Sequence, residues 1–429
     1  MLACLADKNV CPTFHIMLNP TEPPILPYGR QTIEDDDVQA VVECLRGDWL
    51  TQGPGVEKFE AALCARTGAK HAVAVSSGTA ALHLAALCLG VQRGDCGVVP
   101  SITFAASANA ILYAGGSVKF ADVDPASGLI DTAALETQVR TLAESGNAPK
   151  VIVAVDLCGQ PAALPEIKRI AERVGAHVIE DAAHSLGARY EYQGMRYAAG
   201  SCVHGDAAIL SFHPVKQITT GEGGALLTND AGLAARARDL RSHGIHRDPA
   251  RLELKNEGPW YYEQSQLGFH YRLTDIQCAL GLSQLGKLDR FLARRREIAS
   301  QYDRALEQEP LAATLMPLAR SKNSEHAWHL YVVRVRGDWK TSGLKALAAL
   351  RLSLYLFLRE RRIHSQVHYI PVHWQPHYRR TQHTRFEDCP GANAFYASCL
   401  SLPIFPLMPD SDVARVIDAL REWSSRPQN

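Results

Sequence analysis

Several things are missing from this 429-residue sequence, and each absence closes a class of function. There is no net charge: Lys and Arg number 45 and Asp and Glu number 45. No long basic run offers an electrostatic footprint for nucleic acid or anionic lipid, so neither is expected as a partner. No apolar run reaches bilayer length. The longest, Ala346 to Leu358, carries Arg351 and predicts a buried helix, with no membrane span. The 11 cysteines include no CxxC pair, and their odd number argues against a disulfide framework, so reduced thiols used as small apolar residues are expected. Met1 to Val10 lacks the apolar run of a signal sequence, being interrupted by Asp7 and Lys8. Together these features predict a cytoplasmic protein. The patterns GxxxxGK[ST], HExxH, GxSxG and a GxGxxG after a strand are also absent, which removes the anchors for P-loop, zinc-protease, α/β-hydrolase and dinucleotide readings. No metal site is expected.

What is present is apolar material enough for a large core, 46% of the residues. Residues 1–24 contain Pro12, Pro20, Pro23 and Pro24 and little periodicity, which predicts a loosely ordered leader. From Thr32 to Arg46, Val38, Val41, Val42 and Leu45 recur at helical spacing, acids fill the first turn and Gly47 follows, an amphipathic helix. A second helix covers Val56, Phe59 and Leu63. Short apolar runs then alternate with helical stretches: His71 to Val75, Cys96 to Pro100, Val118 to Ala121, Val151 to Val155, His177 to Glu180, Ala207 to Ser211 and Gly224 to Thr228. Strands bounded by helices predict βαβ units and a mostly parallel seven-stranded sheet, buried on both faces. The fold class is therefore α/β, with a large domain over residues 25–285 that includes the N-terminal helix. A smaller C-terminal α+β domain is expected over 286–429, built from a charged helix (Leu285 to Leu306), a β-rich stretch (His329 to Val335), a helix ending near Arg362, a Pro- and His-rich loop and a last helix (Val413 to Trp423). Ligands of such sheets sit at the carboxyl ends of the strands.

Three segments at such ends carry chemistry. Ser76-Ser77-Gly78-Thr79-Ala80 follows a strand and opens a helix, so its N–H groups and hydroxyls suit a phosphate; the plainer reading is an ordinary N-cap. Val178-Ile179-Glu180-Asp181-Ala182-Ala183-His184 ends an apolar strand in two acids. A carboxylate there stays ionised only against a cation, such as a protonated ring nitrogen; the plainer reading is a helix-capping Asp. In Ser211-Phe212-His213-Pro214-Val215-Lys216-Gln217-Ile218 a lysine sits among apolar residues before a glycine-rich turn. Desolvation there lowers the ammonium pKa and frees a neutral amine for a Schiff base, where a surface lysine would stay charged. A phosphate cradle, a strand-end Asp, a half-buried Lys and an aromatic, Phe104, after another strand are together what pyridoxal 5'-phosphate requires.

From about Pro27 to the last helix the chain resembles the DegT-type sugar-nucleotide aminotransferases, pyridoxal-phosphate enzymes of fold type I. The matching stretches are Leu50 to Pro54, Ser76 to Ala80, Ile179 to Gly187, Ser211 to Gly224, Arg241 to Gly244, Arg272 to Gln277 and Val367 to Pro371. Within the family the likeness is greatest to the transaminase branch of pseudaminic acid biosynthesis, on Pro27 to Gln31, Ser211-Phe212-His213, Ile218-Thr219-Thr220, Ala279 to Leu285 and Gln366 to Tyr369. The resemblance implies transfer of an amino group from L-glutamate to C4 of a UDP-linked 4-keto-6-deoxy-N-acetyl hexose. It also implies roles: Lys216 as the lysine that binds the cofactor and moves the proton, Asp181 on the ring nitrogen and His184 beside the ring. Gly78, Thr79 and Ser211 match phosphate-binding positions, Phe104 the stacking position, and Tyr28, Thr51, His368 and Tyr369 the substrate side. It further implies a homodimer with shared active sites, in which His270 stands where the family usually has Asn reaching the partner's phosphate. Alternatives are an aminotransferase for a dTDP- or GDP-linked 4-keto sugar or a 3-keto sugar, and a non-catalytic pyridoxal-phosphate-binding regulator, which Lys216 disfavours.

Overall fold

In the computed structural model, which describes residues 23–255, 257–341 and 343–427, the seven apolar runs pair into one sheet. Of the expected leader, residues 1–22 lie outside the described residues. The strands are β1 (His71–Val75), β2 (Cys96–Pro100), β3 (Ser117–Ala121), β4 (Val151–Val155), β5 (His177–Asp181), β6 (Ala207–Ser211) and β7 (Gly224–Thr228). Their order across the sheet is β1-β7-β6-β5-β4-β2-β3. Neighbours from β6 to β3 run parallel, with Asp181 opposite Ile209 and Val155 opposite Asp181, and β7 alone runs antiparallel to both strands it joins.

Side chains alternate across the sheet with the period of two that strands impose. Val73, Val99, Val153, Ile179, Ile209 and Leu226 meet helices α3 (Gly78–Cys88), α4 (Ala105–Tyr113) and α7 (Ala231–Arg241) on one face. On the other, Ala72, Ala74, Leu210 and Leu227 meet α2 (Pro54–Thr67) and α8 (Asp275–Gly286), while Val98, Ile152 and Val178 meet α5 (Thr132–Glu144) and α6 (Leu164–Glu172). Burial on both faces explains why the runs read as continuous apolar stretches. A second core gathers around a three-stranded antiparallel sheet, β8 (Leu315–Pro317), β9 (Tyr331–Val335) and β10 (Cys399–Leu402). It is closed by α9 (Leu288–Leu306), α10 (Leu344–Glu360), α11 (Pro390–Ser398) and α12 (Asp410–Ser424), and Leu26 packs into it from the N-terminal side. Among the described residues no helix is long and apolar enough to cross a membrane. The nine described cysteines are free thiols.

The structure corrects several expectations. Ala346 to Leu358 is not a buried helix: α10 buries Leu347, Leu354, Phe357 and Leu358 but leaves Leu352 and Leu356 about half exposed, because it packs on one side only. The first helix, α1 (Asp35–Arg46), begins later than Thr32, at a reciprocal cap between Glu34 and Asp37. Its apolar stripe is only partly covered, with Val41 and Val42 half-buried. Val38 and Leu45 are 54% and 53% exposed, and the buried residue is Asp37, held by Ser283 Oγ at 2.6 Å, Gln284 Nε2 at 2.8 Å and Lys287 Nζ at 2.7 Å. The strand expected from His329 begins at Tyr331, since Trp328 turns the chain through the left-handed region at φ 52°. The helix expected from Leu285 begins at Leu288, because α8 runs on to Gly286.

One buried ion pair fixes the sheet edge that leads to Ser76-Ser77-Gly78. Glu60 of α2 accepts the Ala74 N–H of β1 at 2.9 Å and Arg241 Nη1 of α7 at 2.7 Å, and the same guanidinium nitrogen reaches the Ala74 carbonyl at 2.8 Å. Removing one partner strands a buried charge. Glu60→Ala is expected to destabilise the protein by about 3 kcal/mol or more, read as a lower denaturant midpoint. A midpoint equal to that of the wild type would show that β1 is held by its apolar contacts alone.

Candidate active site

The carboxyl ends of β1, β2, β5 and β6 open onto a cavity of about 470 Å³. After β1, Ser77 turns the chain and caps α3, its Oγ accepting the Ala80 N–H at 3.1 Å. This is the ordinary cap that the sequence allowed, yet it leaves the N–H groups of the first turn directed at the cavity, since the start of a helix has no i−4 acceptors. Gly78 lies against the end of β6: a Cβ there would come within 3.0 Å of Ser211 Cβ. A side chain at this position would close the space between the helix start and the Ser211 hydroxyl.

Between β6 and β7 the chain folds into a closed turn that presents Lys216. The Phe212 N–H bonds to the Gly223 carbonyl at 2.9 Å, the Thr220 N–H to the Phe212 carbonyl at 3.0 Å, and the Thr219 hydroxyl to the same carbonyl at 3.0 Å. Burial pushes the Lys216 ammonium down to about 8, with Asp181 working in the opposite direction. Asp181 is buried at the end of β5, where it accepts Ser107 Oγ at 2.7 Å and the Ala183 N–H at 3.3 Å. Burial raises its carboxyl above the ordinary value, and Ser107, the Ala183 N–H and Lys216 oppose that rise. Its neighbour Glu180 points to the other face, where both oxygens accept the Gly200 N–H at 3.0 and 3.1 Å. Of the two strand-end acids, only Asp181 meets the cavity.

His184 lies on the same wall, its Nε2 3.2 Å from the Tyr369 hydroxyl. Burial first, then Lys216 and His368, push it well below the ordinary imidazole range. Its Nδ1 is buried with no hydrogen-bond partner. His368 is pushed down to about 3 by burial and then Lys216, and its Nδ1 sits 2.8 Å from Ser401 Oγ. Tyr28 and Phe104 complete the lining, with ring centroids 5.3 Å from His368 and 6.2 Å from Tyr369 respectively.

The structure thus brings together Tyr28, Gly78, Thr79, Phe104, Asp181, His184, Ser211, Lys216, His368 and Tyr369. Thr51 and His270 do not line the cavity. Thr51 sits on the exposed turn between α1 and α2, and His270 is exposed beside Ser242, its ring 5.4 Å from that of His243. Sequence reasoning missed Ser107, which orients Asp181 and is itself 2.7 Å from Thr103 Oγ1. No local pattern announces it, because its partner is 74 positions away. It also missed His329, which lines the cavity; the cluster His326-Ala327-Trp328-His329 was the available signal.

The donor set fits pyridoxal 5'-phosphate. A buried carboxylate faces the cavity with Lys216 as the cation acting on it, and a protonated ring nitrogen would supply a second. The orphaned Nδ1 of His184 needs a partner, and the Gly78 and Ser211 approach leaves a cradle that a Cβ would fill.

Residues 31–421 match the family model described as the DegT/DnrJ/EryC1/StrS aminotransferase family. The spore coat polysaccharide biosynthesis protein SpsC of Bacillus subtilis is 38% identical over 398 residues, which cover 92% of this chain and 96% of that protein. Among solved structures, PseC of Helicobacter pylori, an aminotransferase involved in the biosynthesis of pseudoaminic acid, superimposes with a TM-score of 0.82 at 29% identity, over 93% of this chain and 99% of its own. The PLP form of Spr1654 from Streptococcus pneumoniae gives 0.81 at 26% identity, over 93% and 98%. With Lys216, the strand-end Asp181 and the helix start at Gly78 assembled at one cavity, the chain belongs to the DegT/DnrJ/EryC1/StrS family and is a pyridoxal-phosphate-dependent sugar aminotransferase of fold type I.

Proposed function

We propose that this enzyme transfers the amino group of L-glutamate to C4 of a UDP-linked 4-keto-6-deoxy-N-acetyl hexose, giving UDP-4-amino-4,6-dideoxy-N-acetyl-β-L-altrosamine in pseudaminic acid biosynthesis. The observation that carries the sugar assignment is the likeness to PseC along 93% of the chain. A second reading, an aminotransferase for another nucleotide-linked keto sugar (a dTDP- or GDP-linked 4-keto sugar or a 3-keto sugar), is supported by the higher identity, 38%, to a protein named for a different product, spore coat polysaccharide.

The bound cofactor supplies a carbonyl carbon that takes up the amino group and a ring that spreads the negative charge left when a C–H proton is removed. Lys216 moves that proton. With its pKa near 8 it populates both amine and ammonium close to neutral pH, so it can take a proton from one carbon and return it to the next. Asp181 holds the ring-nitrogen proton, and Ser107 keeps the carboxylate turned toward the cavity. The first-turn N–H groups of Gly78 and Thr79 and the hydroxyl of Ser211 would hold the phosphate, and Phe104 and His184 would pack against the ring. Tyr28, His368 and Tyr369 line the sugar side.

Thr51 and His270 belong, in this reading, to an edge completed by a second copy of the chain. The half-exposed apolar residues Val38, Leu45, Trp49 and Leu50, which lead up to Thr51, support a homodimer, since a monomer rarely leaves such a row bare. Residues 25–285 form the cofactor-binding domain and 286–429 the small domain, a division supported by the separate C-terminal core. A cytoplasmic location goes with the free thiols.

Because only the neutral amine reacts, the rate at which cofactor-free protein takes up pyridoxal phosphate is expected to rise with pH until about 8 and then level off. A midpoint near the ordinary lysine value of about 10.4 would remove the desolvated-lysine role. Asp181→Asn is expected to keep the cofactor while slowing amino transfer by about 10²–10³-fold, since an amide does not hold the ring nitrogen protonated; unchanged turnover would exclude that role. The substrate is tested in one cuvette. The visible absorption band of the loaded enzyme is expected to bleach with L-glutamate and to return with the UDP-4-keto sugar. Bleaching without return would leave the enzyme class intact and move the acceptor to another keto sugar.

A further inference from the structure

Behind His184 stands a second imidazole to which the reading above gives no role. His329 is 4% exposed and lines the rear of the cavity, its ring centroid 4.2 Å from that of His184 at an interplanar angle of 37°. Its Nδ1, like that of His184, is buried with no hydrogen-bond partner. Buried polar atoms without partners are rare in folded proteins, and here two lie on adjacent, packed rings at one wall.

The backbone that carries His329 is fixed from two sides. The Leu330 N–H bonds to the Cys158 carbonyl at 3.1 Å and the Ala327 N–H to the Gly159 carbonyl at 2.9 Å. Gly159, at φ 103°, is wedged between the two histidine segments. A Cβ on it would lie 2.9 Å from Trp328 N, 3.0 Å from His329 N and 3.0 Å from the His184 carbonyl. On the far side Arg295, 1% exposed, donates from Nη1 to the carbonyls of Trp328 at 3.1 Å, His329 at 3.3 Å and Ile404 at 3.0 Å. Among the described residues no carboxylate pairs with it. A guanidinium buried on carbonyls alone is costly for stability, and what it secures is the seat of His329.

We propose that His329 is a positioning residue of the amino-transfer site: its ring backs the imidazole of His184, holding Nε2 on Tyr369 and keeping Nδ1 available to the bound cofactor, while Arg295 and Gly159 hold His329 in place. The inference rests on the reading of this cavity as the cofactor site. His329 is uncharged in this setting, since burial and then His184, Lys216, Arg295 and His368 push it well below the ordinary range. A second cation beside Lys216 is thereby avoided.

The test follows His184 directly, by NMR of histidine-labelled cofactor-free protein titrated with acid, alongside the bleaching of the loaded enzyme by L-glutamate. The groups that face His184 in that titration are Lys216 from the turn after β6, His368 and Tyr369 from the loop after α10, Asp181 from β5 across the same cavity and His329 itself. His329→Ala admits water behind His184, so its midpoint is expected to climb toward the ordinary value of about 6.5. Bleaching is expected to slow by about a hundredfold, because the ring is no longer held in register. His329→Phe, which keeps a flat ring, is expected to retain both properties close to the wild type. His329→Asn takes the place of alanine if that variant folds poorly, with the same expected result. An unaltered His184 titration and unaltered bleaching in the alanine or asparagine variant would overturn the proposal, and so would a phenylalanine variant as damaged as alanine. If glutamate does not bleach even the wild type, the donor assignment falls, and the titration still decides the role of His329.

Discussion

Two groups of opposite charge, kept from water at the ends of neighbouring strands, are the constraint on which the rest of this structure depends. Burial raises Asp181 and lowers Lys216, and each resists the shift in the other. Neither would hold a useful protonation state alone in so dry a place. The parallel register of β5 and β6, the cap of Ser107 and the closed turn after β6 all serve to keep the two within one cavity. Burial first, and the charge of Lys216 after it, also hold the imidazoles of His184, His329 and His368 below their ordinary range.

The single antiparallel strand has a part in this. A parallel return from β6 would have to carry the chain back to the opposite edge of the sheet before the next strand began. The reversal into β7 lets the Lys216 turn come back beside Ser77 and Gly78, and the approach is close. A Cβ on Gly224, the first residue of β7, would fall 2.5 Å from Gly78 N and from the Ser77 carbonyl oxygen. The end of the lysine turn and the helix start at Ser77 and Gly78 are therefore packed backbone to backbone.

The sheet was legible because strands covered on both faces leave unbroken apolar runs, and strands such as β2, β4 and β7 are buried at every position. Periodicity alone could not say which face of a helix meets the core. The stripe of α1 reads as a core face, yet Val38 and Leu45 are turned outward and Asp37 is the residue packed inside. The apolar run of α10 misleads in the same way. In the site, Asp181 and Lys216 stood out through their place between strand patterns and turns. Ser107 and Arg295 did not, because a serine on one helix and an arginine on another acquire meaning only from carboxylates and carbonyls distant in the chain.

By itself the sequence determined the alternation of strands and helices through the seven-stranded sheet, the strand ends there and the residue types that suit a pyridoxal cofactor, since these depend on local pattern and on chemistry carried by single side chains; it did not announce β8 and β10 of the smaller sheet. Tertiary structure decided which of Glu180 and Asp181 faces the cavity, which nitrogen of His184 is left without a partner, and that Thr51 and His270 lie outside the cavity of their own chain. The physical reason is that desolvation and hydrogen bonding are set by neighbours in space, and the neighbours that matter here come from segments far apart in the chain.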